Sequence, residues 1–172
     1  MPVEPSPVID LSTGPQFKSF YRANLPTVYG YLLRLAGGDR GLAEDLTQDT
    51  WLALVQSLRR GRAECADVRW LLAVARNRYI DHVRRVERGR RKLALIVGDR
   101  SVTHEPDVPP SRAQVLADVE GLEPHQRMVL MMRYVDGLGV PEIAGVIGRS
   151  VTATNSLLAR ARHKLREIRE QR

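Results

Sequence analysis

Residues 140–158 read VPEIAGVIGRSVTATNSLL, a short amphipathic run, a tight turn and a longer run, and this order decides the fold. Pro141 suits the first turn of a helix, where its missing N–H goes unused. Gly148 ends that helix, and Ser150 stands where the N-cap of the next belongs. Ala144 is small where two helices would cross, Gly148 four residues on permits the turn, and Ile143, Ile147 and Val151 are expected to supply apolar packing. This is helix-turn-helix spacing, although an ordinary helical hairpin can carry the same small residue and glycine. In a helix-turn-helix the second helix enters the major groove. Val151, Thr152, Ala153, Thr154, Asn155 and Ser156 lie near its start, and Thr or Asn can read base edges or hold phosphate oxygens.

Outward from this stretch the helical period continues. Val115, Leu116 and Val119 mark a short helix. Pro124 opens another, with Met128, Met131, Met132 and Val135 as its core stripe, and Gly137 and Gly139 break it. The last helix runs from its Ser150 cap to about Ile168. In the N-terminal half, Phe17, Phe20, Tyr21, Asn24, Val28, Leu32 and Leu35 trace one stripe, with a kink or break expected at Pro26 and a stop at Gly37-Gly38. Asp39 can cap a second helix built on Leu42, Leu46, Leu54, Val55 and Leu58, with the small and polar residues of 43–48 on its other side. Asp67 can cap a third, whose apolar side is Val68, Leu71, Leu72, Ala75, Tyr79, Val83 and Val86. No stretch alternates as a half-buried strand does, so the expected class is all-α.

Charge divides the 172 residues into three parts. Residues 10–92 hold 16 basic and 9 acidic side chains, and residues 114–172 hold 9 and 7. Between them, residues 93–113 carry Asp99, Glu105, Asp107, Pro106, Pro109 and Pro110 against only Arg100 and Arg112. Because a structureless loop of about 20 residues is uncommon inside a compact domain, this segment reads as a flexible linker. The expected organisation is two small helical domains, 10–92 and 114–172, joined by a tether at 93–113.

The formal net charge of +7 points to an acidic partner such as nucleic acid. Cations crowd one side of the third helix, at Arg69, Arg76, Arg84, Arg85, Arg88, Arg90, Arg91 and Lys92. Each can neutralise a phosphate, although a charged helix face is also what solvation alone would select. Trp70 beside them can stack on an unpaired base. Cys65 is the only cysteine, which excludes an internal disulfide and a cysteine-built zinc site. No apolar run approaches the roughly 18 residues of a membrane span, and the acidic, Pro-rich start lacks the marks of a signal peptide, so a cytoplasmic location is expected. Glu44, Asp45 and Asp49 could collect Mg²⁺ in a nuclease or phosphotransferase, but no second acidic cluster accompanies them. His82, His104, His125 and His163 fall in separate segments. No metal, cofactor, small-molecule substrate or catalytic residue is expected.

Three ordered motifs bring these readings together: AEDLTQDTWLAL at 43–54, RWLLAVARNRYIDHVRR at 69–85, and LEPHQRMVLMMRYVDGLGVPEIAGVIGRSVTATNSLLARARHKLRE at 122–167. In these the chain resembles, over nearly its whole length, the sigma-70 family of bacterial RNA polymerase initiation factors, and within it the short extracytoplasmic-function (ECF) group. The resemblance implies that Glu44, Asp45, Gln48, Asp49 and Trp51 meet the clamp helices of the largest polymerase subunit. An acidic, amide-bearing face suits a partner helix with arginines and would be repelled by phosphate. Stabilisation of a helix N-terminus would also explain Glu44 and Asp45, but reaches Gln48 and Asp49 poorly.

By the same resemblance, the loop 62–67 with Arg62, and Trp70, Arg76, Asn77, Asp81, His82, Arg84 and Arg85 bind the melted minus-ten element, with a flipped base in a pocket. The helix-turn-helix is implied to read the minus-thirty-five duplex through Ser150, Thr152, Ala153, Thr154, Asn155 and Ser156, with phosphate support from Arg149, Arg160 and Arg162. The sequence departs from the family here: an apolar residue is usual at Thr154, Lys or Arg at Asn155, and often Arg at Leu157. The promoter sequence therefore does not carry over from relatives. The implied partners are core RNA polymerase, promoter DNA and a membrane-linked anti-sigma protein that sequesters the polymerase-binding faces. The linker is implied to pass near the polymerase active centre. A free-standing dimeric helix-turn-helix regulator, binding an operator without polymerase, is the alternative.

Overall fold

Side-chain caps decide where most of the helices begin. The computed structural model describes residues 14–61, 67–91 and 109–171, and every regular element among them is helical. Helix α1 spans Gly14–Leu35. Asp39 caps α2 (Arg40–Arg59), its Oδ1 accepting the Leu42 N–H at 3.1 Å, and Asp67 caps α3 (Val68–Arg91) by accepting the Trp70 N–H at 2.8 Å. Helix α4 (Arg112–Asp118) opens with a reciprocal capping box between Ser111 and Gln114. A 3₁₀ turn at Val119–Gly121 leads to α5 (Pro124–Leu130). Then come α6 (Val140–Ile147) and α7 (Val151–Glu170), the latter capped by Ser150 Oγ accepting the Ala153 N–H at 3.1 Å.

Three details differ from the sequence expectation. Helix α1 runs on through Pro26 without a break; Phe20 before it and Val28, Tyr31 and Leu32 after it are all buried, so tertiary packing on both sides outweighs the lost backbone bond. Helix α4 starts inside the segment expected as linker, which is described only from Pro109 onward. After α5 the backbone widens into a π-helical turn, Met131–Val135, in which the Asp136 N–H reaches Met131 O at 3.0 Å and the Leu138 N–H reaches Met132 O at 2.9 Å.

The described residues gather into two compact units: 14–33 with 39–61 and 67–79, and 34–38 with 80–91 and 109–171. In the first, Val28, Leu32, Leu54, Leu71 and Ala75 are fully buried, each larger one contributing about 1.5–3 kcal/mol of apolar burial. Ala43, Thr47 and Thr50 of α2 are buried with them, although 43–48 reads from the sequence as an outer polar side. Small size permits close approach, and the Thr47 and Thr50 hydroxyls donate to the carbonyls of Ala43 and Leu46, both at 2.7 Å.

In the second unit α5 is the central element. Residues 128–132 are buried without interruption, and α5 packs on α7. Arg127, at the middle of α5, donates to the carbonyls of Leu35 (2.9 Å), Glu120 (3.2 Å) and Leu122. Gly37, at φ +68°, gives that guanidinium its room, since a Cβ there would collide with it.

Candidate nucleic-acid and partner surfaces

On α2 the helical period separates two faces. Glu44, Asp45, Gln48 and Asp49 are all exposed, and Leu52 extends the same face at 56% exposure. Trp51 points the other way. It is 6% exposed, and its ring meets Tyr21, Phe20 and Phe17 edge-on, with centroids 4.6, 6.1 and 6.4 Å away. The structure therefore brings four of the five expected partner residues onto one surface, while the fifth anchors the helix beneath them. Leu52 is absent from the sequence-based set. The signal for it is its position, three residues after Asp49, four after Gln48 and seven after Asp45, which is one helical stripe.

Along α3, Leu71, Ala75, Tyr79 and Val83 form the buried side. Asn77, Asp81, Arg84, Arg85 and Arg88 are exposed on the other, with Asp81 four residues after Asn77, Arg84 three after Asp81, and Arg88 four and three after Arg84 and Arg85, spacings that make them neighbours on one face. Asp81, Arg84, Glu87 and Arg88 line a shallow groove of about 370 Å³. Trp70, Arg76 and His82 are half-buried. Arg84 Nη2 donates to the carbonyl of Val146 in the last turn of α6, at 3.1 Å, a residue of the same compact unit. Arg88 Nε donates to Arg84 O at 3.2 Å. Arg62 lies outside the described residues.

The pair α6 and α7 has the expected helix-turn-helix form. Gly148 closes α6 in the left-handed region, φ 69° and ψ 39°, and Ser150 opens α7 two residues later. Ile143, Ala144 and Ile147 of α6 and Leu157, Leu158, Ala161 and Leu165 of α7 are buried. That packing fixes which side of α7 faces out. Arg149, Ser150, Thr152 and Asn155 are exposed, while Ala153, Ser156, Arg160 and Arg162 are half-buried. Thr154 is 0% exposed, and its hydroxyl donates to Ser150 O at 2.9 Å. Val151, expected as packing, is instead 46% exposed, and the buried side of α7 begins at Thr154. Further along α7, Lys164 donates to Glu167 at 2.8 Å and holds that carboxyl below its ordinary range.

The molecule thus carries an acidic face on α2, a mainly cationic face on α3 and a helix-turn-helix. No described helix is long and apolar enough to cross a membrane. The family model described as Sigma-70 region 2 matches residues 20–89, and that described as Sigma-70, region 4 matches residues 112–165. The ECF RNA polymerase sigma factor SigC of Mycobacterium tuberculosis is 33% identical over 158 residues, covering 88% of this chain and 82% of the relative. The RNA polymerase sigma factor CarQ of Myxococcus xanthus is 28% identical, with 88% of each chain covered. In fold, the chain is similar to the sigma factor RpoE crystallised with the anti-sigma factor NepR from Bartonella quintana, at a TM-score of 0.53 and 19% identity over 90% of this chain and 96% of that one. With both region models in order on its helices and a relative this similar over most of both lengths, the chain belongs to the sigma-70 family of RNA polymerase sigma factors, in the extracytoplasmic-function group.

Proposed function

We propose that this sigma factor binds core RNA polymerase through the exposed face of α2 and directs initiation at promoters read by two separate elements. The observation that carries the reading is the sorting of charge by helix: Glu44, Asp45 and Asp49 share one exposed face of α2, whereas Arg84, Arg85 and Arg88 share one of α3. A protein surface bearing arginines fits the first and repels the second, and phosphate does the reverse. Leu52 adds an exposed apolar side chain at the C-terminal end of the acidic face, area that a partner surface would remove from water.

In this proposal two domains, 10–92 and 114–172, are tethered by 93–113. The exposed stripe of α3, with Trp70 and the loop 62–67, takes the melted minus-ten strand: cations hold phosphates, and an unstacked base is stabilised by stacking and edge hydrogen bonds. Arg149, Thr152 and Asn155 face the minus-thirty-five duplex. Trp51 and Thr154 act from beneath these surfaces by fixing the helices that present them. No covalent bond is made or broken by this chain. It works in the cytoplasm, and an anti-sigma protein that covers the α2 face would silence it.

The test is transcription in vitro with core polymerase over a genomic promoter library. A discrete set of start sites sharing two spaced elements is the expected result. Operator binding with equal affinity in the presence or absence of polymerase, without start-site selection, would favour a free-standing regulator instead.

A further inference from the structure

The outward ridge of α7 carries a combination of side chains that points to a particular base content. Val151 is 46% exposed, one of three large apolar side chains among the described residues to be so open, and Thr152 and Asn155 beside it are exposed. A β-branched valine at the first position of a capped helix gains nothing from local structure. Packing does not explain it either, because the buried side of α7 is made by Thr154, Leu157, Leu158, Ala161 and Leu165. Val151 and Asn155 are four residues apart. They therefore stand on one ridge about 6 Å apart along the axis, less than two base steps of duplex.

These two side chains favour the same kind of base pair. In the major groove the thymine C5-methyl is the one apolar feature, and a side-chain amide matches the paired N7 acceptor and N6 donor of adenine. A cation at residue 155 would have favoured guanine or phosphate; the asparagine does not. We infer that Val151 and Asn155 are specificity-determining residues that read A·T pairs in the upstream duplex element, Val151 through a thymine methyl and Asn155 through an adenine edge. This rests on the reading of α7 as the duplex reader, and it narrows that reading to a chemical class of base pair.

Thymine-to-uracil replacement isolates the methyl group. The full-length chain, assembled with core polymerase, is first used to select binding sequences from a randomised upstream region. Each thymine of the selected element is then replaced singly by deoxyuridine, and 7-deazaadenine is placed at each adenine. The expected result is an A·T-containing element in which one deoxyuridine weakens wild-type binding about fourfold, the worth of one buried methyl group. That loss shrinks in Val151→Ala, whose side chain ends at Cβ, and shrinks less in Val151→Thr, which retains one γ-methyl. One 7-deazaadenine should weaken wild type and leave Asn155→Ala unaffected.

If an element is selected but no deoxyuridine matters, or the loss is the same in Val151→Ala, the assignment of Val151 is overturned while α7 remains the duplex reader. If no upstream sequence is selected at all, the reading of α7 itself fails. Because both side chains are exposed, helical content by circular dichroism should be the same in every variant.

Discussion

Trp51 lies at the junction of core and surface: its ring is locked among Phe17, Phe20 and Tyr21, one residue before the exposed Leu52 and two after the exposed Asp49. Its indole N–H is buried without an acceptor among the described residues, so shape and area, not hydrogen bonding within them, keep it in place. Trp51→Ala should cost about 3–5 kcal/mol of stability. Trp51→Phe, which keeps a ring and removes the unmatched N–H, should cost less than about 1.5 kcal/mol. Denaturant unfolding followed by circular dichroism measures both, and equal losses would show that the ring packing is not what matters. Thr154 is the corresponding residue of α7. Its hydroxyl is satisfied within the helix by Ser150 O, so a methyl group in its place leaves no new unmatched partner outside the helix. Thr154→Val should therefore change stability by no more than about 1 kcal/mol and leave duplex affinity untouched, as a salt-series titration would show.

At the scale of the elements, the turn between α6 and α7 depends on Gly148 and on the Ser150 cap. Gly148→Ala places a Cβ at φ +69° and should cost about 1 kcal/mol; Ser150→Ala removes one capping acceptor and should cost a similar amount, about 1 kcal/mol. Thermal melts of the two variants test this, and no shift in either would deny the turn its part in stability. On α3, Arg85 is exposed. Arg85→Ala should lower the log-log salt slope of open-complex formation by up to about one unit if the side chain meets a phosphate, and an unchanged slope would place it in solvent. Such elements were legible because caps and periods are local: Asp39, Asp67 and Ser150 announced α2, α3 and α7 from the sequence. Less local features stayed hidden. The run 128–132 is buried on every side, which erases the period that marks a half-buried helix. Arg127 bonds to Leu35, 92 residues away, and nothing near it in sequence points there. The candidate surfaces were read as residue types, but their facing was not: Leu52 and Val151 proved exposed, Thr154 and Trp51 buried, because threonine and tryptophan suit either environment and only packing decides.

Across the whole molecule, a chain of net charge +7 keeps an exposed acidic stripe on α2 while its cations dominate the exposed stripe of α3. A protein that only bound DNA would gain from neutralising that acidic stripe, since like charge repels phosphate. In the proposed function, its presence is explained by a second, protein partner. The most direct measurement is co-purification of full-length Asp49→Lys with core polymerase, beside Asn155→Arg as a change confined to α7. Asp49→Lys should lose core association while retaining wild-type helical content, and Asn155→Arg should keep core association and bind duplex more tightly without regard to sequence. An Asp49→Lys protein that still co-purifies stoichiometrically and drives transcription from the same start sites would contradict the assignment of α2 to polymerase.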